Sequence, residues 1–185
     1  MDIAVQLHHE ENDLISACIR KERWAQQELY ETNYGMLMGV CLRYSNVEED
    51  ALDILHEGFI KIFKNIGKYK LGTSLSAWMR RIVINTAIDY YRKKVRRRTS
   101  NIEEAYELST NEADAISMCS AKEIMEAIQL LSTTYRAVFN LYVIEGYPHK
   151  DIAGMLGITE STSRSNLVKA RSKLKKLLKN RKIRN

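Results

Sequence analysis

Residues Pro148 to Leu178 read PHKDIAGMLGITESTSRSNLVKARSKLKKLL. Proline suits the entry of a short helix, His149 to Leu156, because its fixed φ fits the first turn. Gly157 then provides a tight turn, and a longer helix is predicted from about Glu160 to Leu178. Ile152, Ala153 and Leu156 fall on one face of the short helix, and Ile158 plugs the turn. On the long helix Ser163, Leu167, Ala170, Leu174 and Leu177 share one side. Ser161, Ser165, Lys169, Ser172 and Lys176 share the other, flanked by Arg164, Arg171 and Lys175. Two helices joined by a glycine turn, the second with a basic outer face, make a helix-turn-helix. Small polar residues let such a helix approach the floor of the major groove, while Arg and Lys reach guanine edges and phosphates. Ten basic residues and no acid lie between Ser161 and Asn185, which predicts phosphate binding with a steep salt dependence. A plain helical hairpin with a solvated face carries the same pattern.

Working outward, the 185 residues contain one proline and eight glycines, so few breakers interrupt the chain. Apolar residues recur at helical spacing, and no series of strand and turn signals is present; the fold is predicted to be all-α. The length accommodates two small helical domains. A formal net charge of +6 suggests a polyanionic partner, although a basic protein without one fits as well. Cys18, Cys41 and Cys119 are scattered among apolar residues without metal-ligand spacing, which predicts buried thiols in a reducing cytosol. The polar start MDIAVQLHHEEND does not read as a signal peptide, and no apolar run approaches the roughly 20 residues of a membrane span.

Upstream of the helix-turn-helix, Ile124, Ile128 and Leu131 stripe one helix. Ser132-Thr133-Thr134 caps another, with Val138, Phe139 and Tyr142 expected to face inward; Glu145-Gly146-Tyr147-Pro148 breaks it. Residues Thr99 to Ser117 hold five acids and no base, and read as a linker. The expected organisation is therefore a first domain over 1–98, a linker over 99–117 and a second domain over 118–185.

Within the first domain the opening dozen residues read as a loose tail, followed by a helix from about Asn12 to Arg20. Separate helices are expected from Arg23 into Tyr34 and from Met36 to Tyr44. Asn46 with Glu49 resembles a capping box for a helix ending near Asn65. Its inner stripe would be Ala51, Leu55, Phe59, Ile62, Phe63 and Ile66, leaving Asp53, His56, Glu57, Lys61 and Lys64 outside. A loop from Gly67 to Ser74 carries Lys68-Tyr69-Lys70, and Thr73 or Ser74 would cap a long helix with Leu75, Trp78, Met79 and Ile82 inward. Six of the seven residues from Arg92 to Arg98 are basic. The acidic patch on an apolar-backed helix would repel DNA but suits a basic protein surface. Aromatic and amide groups beside a basic stretch suit unstacked bases.

Three motifs occurring in order carry a resemblance. They are Asp50-Ala51-Leu52-Asp53-Ile54-Leu55-His56-Glu57-Gly58-Phe59, then Ser76-Ala77-Trp78-Met79-Arg80-Arg81-Ile82-Val83-Ile84-Asn85, and last Glu145-Gly146-Tyr147 leading into Asp151-Ile152-Ala153 and the long helix. Together they resemble bacterial RNA polymerase sigma factors of the extracytoplasmic-function (ECF) group, over roughly Trp24 to Leu178. The resemblance implies a cytoplasmic promoter-binding subunit rather than an enzyme, with a region 2-like bundle, a region 4-like helix-turn-helix and no cofactor or metal. Its implied partners are core RNA polymerase, through the β′ and β subunits, promoter DNA and an anti-sigma factor.

By the same resemblance, Leu52, Asp53, His56 and Glu57 match the surface that grips the β′ coiled coil. Tyr69, Lys70 and Asn85 match the place where a base flipped from the −10 element is caught. Arg164, Ser165, Lys169 and Arg171 match the helix that reads the −35 element. Three residues depart from the family pattern: His56 stands for a usual Gln, Ser163 for an aliphatic residue, and Pro148 for a Ser or Thr cap. A stand-alone helix-turn-helix regulator is the alternative, but it leaves the first-domain motifs unused and would need a dimer seam. An enzyme would need a catalytic cluster, and His8, His9, His56 and His149 are not placed to form one.

Overall fold

In the computed structural model, residues 3–99 and 121–182 are described. They form α1 (Ile3–Ile19), α2 (Arg23–Tyr44), α3 (Glu48–Asn65), α4 (Leu75–Thr99), α5 (Ala121–Gln129), α6 (Thr133–Phe139), α7 (His149–Leu156) and α8 (Glu160–Lys182). A 3-10 turn at Ile66–Lys68 follows α3, and a π-helical turn at Asn140–Ile144 continues α6. The all-α expectation holds, and no strand occurs among the described residues. The described chain divides into two units, one drawn from residues 3–41 and 49–87, the other from 42–48, 88–99 and 121–182. Most of the acidic stretch expected as a linker, and Cys119, lie outside the described residues.

The first unit is built on α1 to α3 and the start of α4. Leu29, Leu37, Ile54, Leu55, Ile62, Met79 and Val83 are almost wholly removed from water. Each such side chain contributes about 1.5–3 kcal/mol of transfer free energy. Gly58 on α3 permits a close approach to α4, since a Cβ there would stand 3.0 Å from Val83 Cγ2. Ser74 caps α4, its hydroxyl accepting the Ala77 N–H at 3.3 Å. Cys18 and Cys41 are buried thiols, and burial pushes the Cys18 thiol up from its ordinary value, helped by the nearby Glu28 carboxylate.

Two expectations for this unit are corrected. Helix α1 begins at Ile3 rather than near Asn12, for the opening residues contain no Gly or Pro to stop a helix. Helix α2 runs unbroken through Gly35 to Tyr44. A mid-helix glycine costs about 1 kcal/mol relative to alanine, and the burial of Leu29, Leu37, Val40 and Cys41 on either side exceeds that. Between α1 and α2, Lys21 adopts φ +61° where glycine is usual. The Glu22 N–H returns to the Ala17 carbonyl and the Lys21 N–H to that of Cys18, both at 3.0 Å, so the last carbonyls of α1 are satisfied.

In the second unit Ala127, Ile128 and Leu131 pack against Ala170, Leu174 and Leu178, with Tyr135, Phe139 and Leu177 around them. Ser132 caps α6 by accepting from the Tyr135 N–H. Arg136 is buried, an outcome its residue type does not announce. Its guanidinium donates to the carbonyls of Gln129 and Leu131 at 2.7 Å, binding the end of α5 to α6. Gly146, at φ +76°, turns the chain out of the π-helical segment. Gly157 ends α7 at φ +68°, and the Ile158 N–H returns to the Ala153 carbonyl at 3.1 Å. This fixes the angle at which α8 leaves α7.

Candidate polymerase and nucleic-acid interfaces

Helix α3 buries Ala51, Leu55, Phe59 and Ile62 as the spacing predicts, but adds Ile54 and Gly58 to the inner side and leaves Phe63 half-buried. Asp53, His56 and Glu57 are exposed and Leu52 is half-buried. The carboxylates lie beside Ile60, which leaves 66% of its surface in water. An isoleucine so exposed, next to two acids and a histidine, gives an apolar contact point with a negative border. Glu57 pairs with Lys61 at 3.2 Å along the same helix. That pair is solvated, and the outer face stays negative toward its N-terminal end.

The loop between α3 and α4 departs from expectation. Tyr69 is buried, and its hydroxyl faces the Thr73 carbonyl and the Glu11 carboxylate, the latter at 3.1 Å. Its ring lies 5.6 Å from that of Trp78. Burial pushes the phenol up from its ordinary value. Tyr69 therefore offers no face to a base here; it pins the loop, from inside, to α1 and to Trp78. Lys70 beside it is exposed, and so is Asn85 on α4. Neighbouring Thr86 turns inward, donating its hydroxyl to the Ile82 carbonyl at 2.9 Å.

On α8 the buried side comprises Ser163, Asn166, Leu167, Ala170, Leu174 and Leu178. Arg164, Ser165, Lys169 and Arg171 are all exposed. Thr159 caps this helix, its hydroxyl accepting the Thr162 N–H at 3.0 Å. Arg164 pairs with Glu160 one turn back, which aims the guanidinium along the helix and dilutes its charge. The Ser165 hydroxyl donates to the Thr162 carbonyl at 3.0 Å, leaving its lone pairs outward. Arg171 lies over the ring of Tyr142, 5.9 Å from its centroid. Tyr142 was expected inside and is instead partly exposed, because the π-helical turn rotates it off the inner face of α6.

Comparison with known proteins bears on these faces. The family model for Sigma-70 region 2 matches residues 29–97, and that for Sigma-70 region 4 matches residues 121–174. The chain is 28% identical over 172 residues to the ECF RNA polymerase sigma factor SigM of Mycobacterium tuberculosis, spanning 92% of this chain and 86% of that protein. It is 30% identical over 128 residues to the RNA polymerase sigma factor SigZ of Bacillus subtilis, 68% of this chain and 71% of that one. The chain belongs to the ECF family of RNA polymerase sigma factors. A solved structure of the sigma factor RpoE with the anti-sigma factor NepR from Bartonella quintana is similar at 20% identity, covering 83% of this chain and 96% of that one, with a TM-score of 0.48.

As a sigma factor it acts in transcription initiation, and its partners are core RNA polymerase and promoter DNA. Sigma factors are subunits rather than enzymes. Among the described residues no helix is long and apolar enough to cross a membrane. Sequence reading of this sigma factor missed a group around α8. His149, at the start of α7, stacks on Tyr142 with ring centroids 4.4 Å apart and planes 18° from parallel. Its Nδ1 lies 2.9 Å from the hydroxyl of Ser163, which is fully buried. The only signal available in the sequence was Ser163 itself, a polar residue on an apolar stripe.

Proposed function

We propose that α8 reads the −35 element as duplex while Lys70 and Asn85 meet the melted −10 strand. The observation that carries this reading is the division of α8, apolar toward its own unit and, toward solvent, basic or small apart from the exposed Val168. Ser161, Ser165 and Ser172 leave room for the backbone to approach a major groove. Arg164 and Arg171 on one border and Lys169 on the other reach base edges and phosphates. The acidic face of α3, with Leu52, Asp53, His56 and Glu57, is the candidate grip on core polymerase, its sign opposite to that of a basic coiled-coil surface. Residues 1–98 and 118–185 then act at separate parts of one promoter, joined by the acidic stretch 99–117.

In this scheme Tyr69 shapes the −10 loop from within, and base contact falls to Lys70 and Asn85. Unpairing a base costs a few kcal/mol, which stacking and phosphate contacts can offset. The test begins with holoenzyme reconstituted from this chain and core polymerase, used to select bound sites from random DNA. Asn85→Ala is expected to leave binding of the selected duplex intact and to slow strand opening, read as weaker permanganate reactivity of unpaired thymines. Equal opening by the two proteins would remove Asn85 from the −10 contact.

A further inference from the structure

The reading of α8 as the −35 helix leaves the polar group beneath it unused. Tyr142, His149, Ser163 and Arg171 come from three elements and meet at one point of the helix-turn-helix. The His149 ring is clasped twice, at Nδ1 by the Ser163 hydroxyl at 2.9 Å and on its face by Tyr142 at 4.4 Å. Tyr142 in turn lies under the Arg171 guanidinium at 5.9 Å. Ser163 and Arg171 are two turns apart on α8, so this imidazole bears on the recognition helix at both levels. We propose that His149 is a positioning residue for α8 and that protonation of its ring strengthens duplex binding. The proposal rests on the reading of α8 as the DNA-facing helix.

The physical argument concerns which charges face the ring. From α8 come Arg164, Glu160 and Arg171; from the π-helical turn comes Tyr142; Lys150 and Asp151 are its neighbours on α7. In the free protein burial holds the imidazole below its ordinary value, and Arg164 and Arg171 push the same way against Glu160. The ring is thus neutral near pH 7. A duplex laid along α8 brings a negative field onto the same two guanidiniums and offsets their repulsion. Protonation is then easier in the complex than in the free chain, and binding takes up a proton. Affinity must therefore rise as pH falls toward the free-protein midpoint, which lies below the usual histidine value of about 6.5. Charging also fixes the direction of one bond. The imidazolium Nδ1–H donates and the Ser163 oxygen accepts, which holds that turn of α8 against α7.

The experiment measures the affinity of full-length chain, bound to core polymerase, for a fluorescent duplex recovered by random-site selection, at fixed salt. Wild type is expected to bind about fivefold more tightly near pH 5.5 than near pH 7.5, less than the roughly tenfold gain that accompanies a titration midpoint raised by one pH unit on binding. His149→Phe with Ser163→Val keeps the stack and fills the interior with apolar groups. This pair is expected to retain most of the affinity near pH 7.5 and to lose the pH ratio relative to wild type. In parallel, the His149 ring proton resonance is titrated with and without duplex, and its midpoint is expected to rise when duplex is present. An equal pH ratio in the double variant, or an unmoved midpoint, overturns the role of His149 while leaving the −35 reading standing. Failure of wild type to hold the duplex at either pH overturns both.

Discussion

Helices α3 and α8 solve the same packing problem and present faces of opposite charge. Each lays an apolar stripe against its own unit: Ile54, Leu55, Phe59 and Ile62 on α3; Leu167, Ala170, Leu174 and Leu178 on α8. Their outer faces differ in sign. Asp53 and Glu57 flank an exposed Ile60 on the first, and Arg164, Lys169 and Arg171 flank small serines and an exposed Val168 on the second. The inner stripe decides that a helix forms and where it sits. The outer face, which contributes little to folding, decides what it can bind. An apolar knob with acidic borders suits a basic protein surface, whereas basic borders around serines and one valine suit a polyanion, the valine being fit to meet a thymine methyl.

The strongest way to break this contrast is to reverse the sign of α3. Asp53→Lys with Glu57→Lys is expected to cost several kcal/mol in affinity for core polymerase, lost co-migration on gel filtration being the readout. The fold should persist by circular dichroism, since both side chains are exposed. If polymerase binding survived the reversal, α3 would not be the docking face. The inner stripe is tested next. Leu55→Ala, at a fully buried site, is expected to lower unfolding free energy by about 2–5 kcal/mol in denaturant titrations. A loss below about 1 kcal/mol would mean that the stripe does not hold the unit together.

Smaller effects belong to α8. Arg164→Ala is expected to cost about 1–3 kcal/mol at one class of promoter and much less at others. It leaves Glu160 without its partner beside DNA, so the loss should sit toward the upper end. Uniform weakening on every sequence would reduce Arg164 to a phosphate contact. Lys169→Ala is the mildest and sharpens the contrast by its form. It should weaken binding evenly across sequences and lower the slope of log affinity against log salt by about 1. An unchanged slope would place Lys169 away from the backbone.

Much of this molecule was legible from residue order. The period of 3.6 placed α3, α5 and α8, although Ile124 of the α5 stripe is exposed. Capping chemistry placed the start of α6 within Ser132–Thr134 and that of α4 at Thr73 or Ser74, the structure selecting Ser132 and Ser74. Gly157 and Pro148 bounded α7 where their backbone preferences demand. These are local matters, settled within one or two turns of chain by sterics and by satisfaction of the first N–H groups. The charge of each outer face follows from composition and the same periodicity.

Tertiary structure decided the rest, wherever a side chain's fate depends on residues distant in sequence. Tyr69 reads as an exposed loop aromatic, yet it is buried because α1 brings Glu11 to its hydroxyl across 58 positions. Gly35 reads as a break, but α2 continues because the unit buries the residues on both sides of it. Ser163 reads as a misplaced polar residue until His149, fourteen positions earlier, supplies its partner. Periodicity reports how a segment sorts its own residues between two faces. It holds no information about which group from elsewhere will meet a polar atom on the inner one, and that meeting is where burial, hydrogen bonding and proton affinity are set.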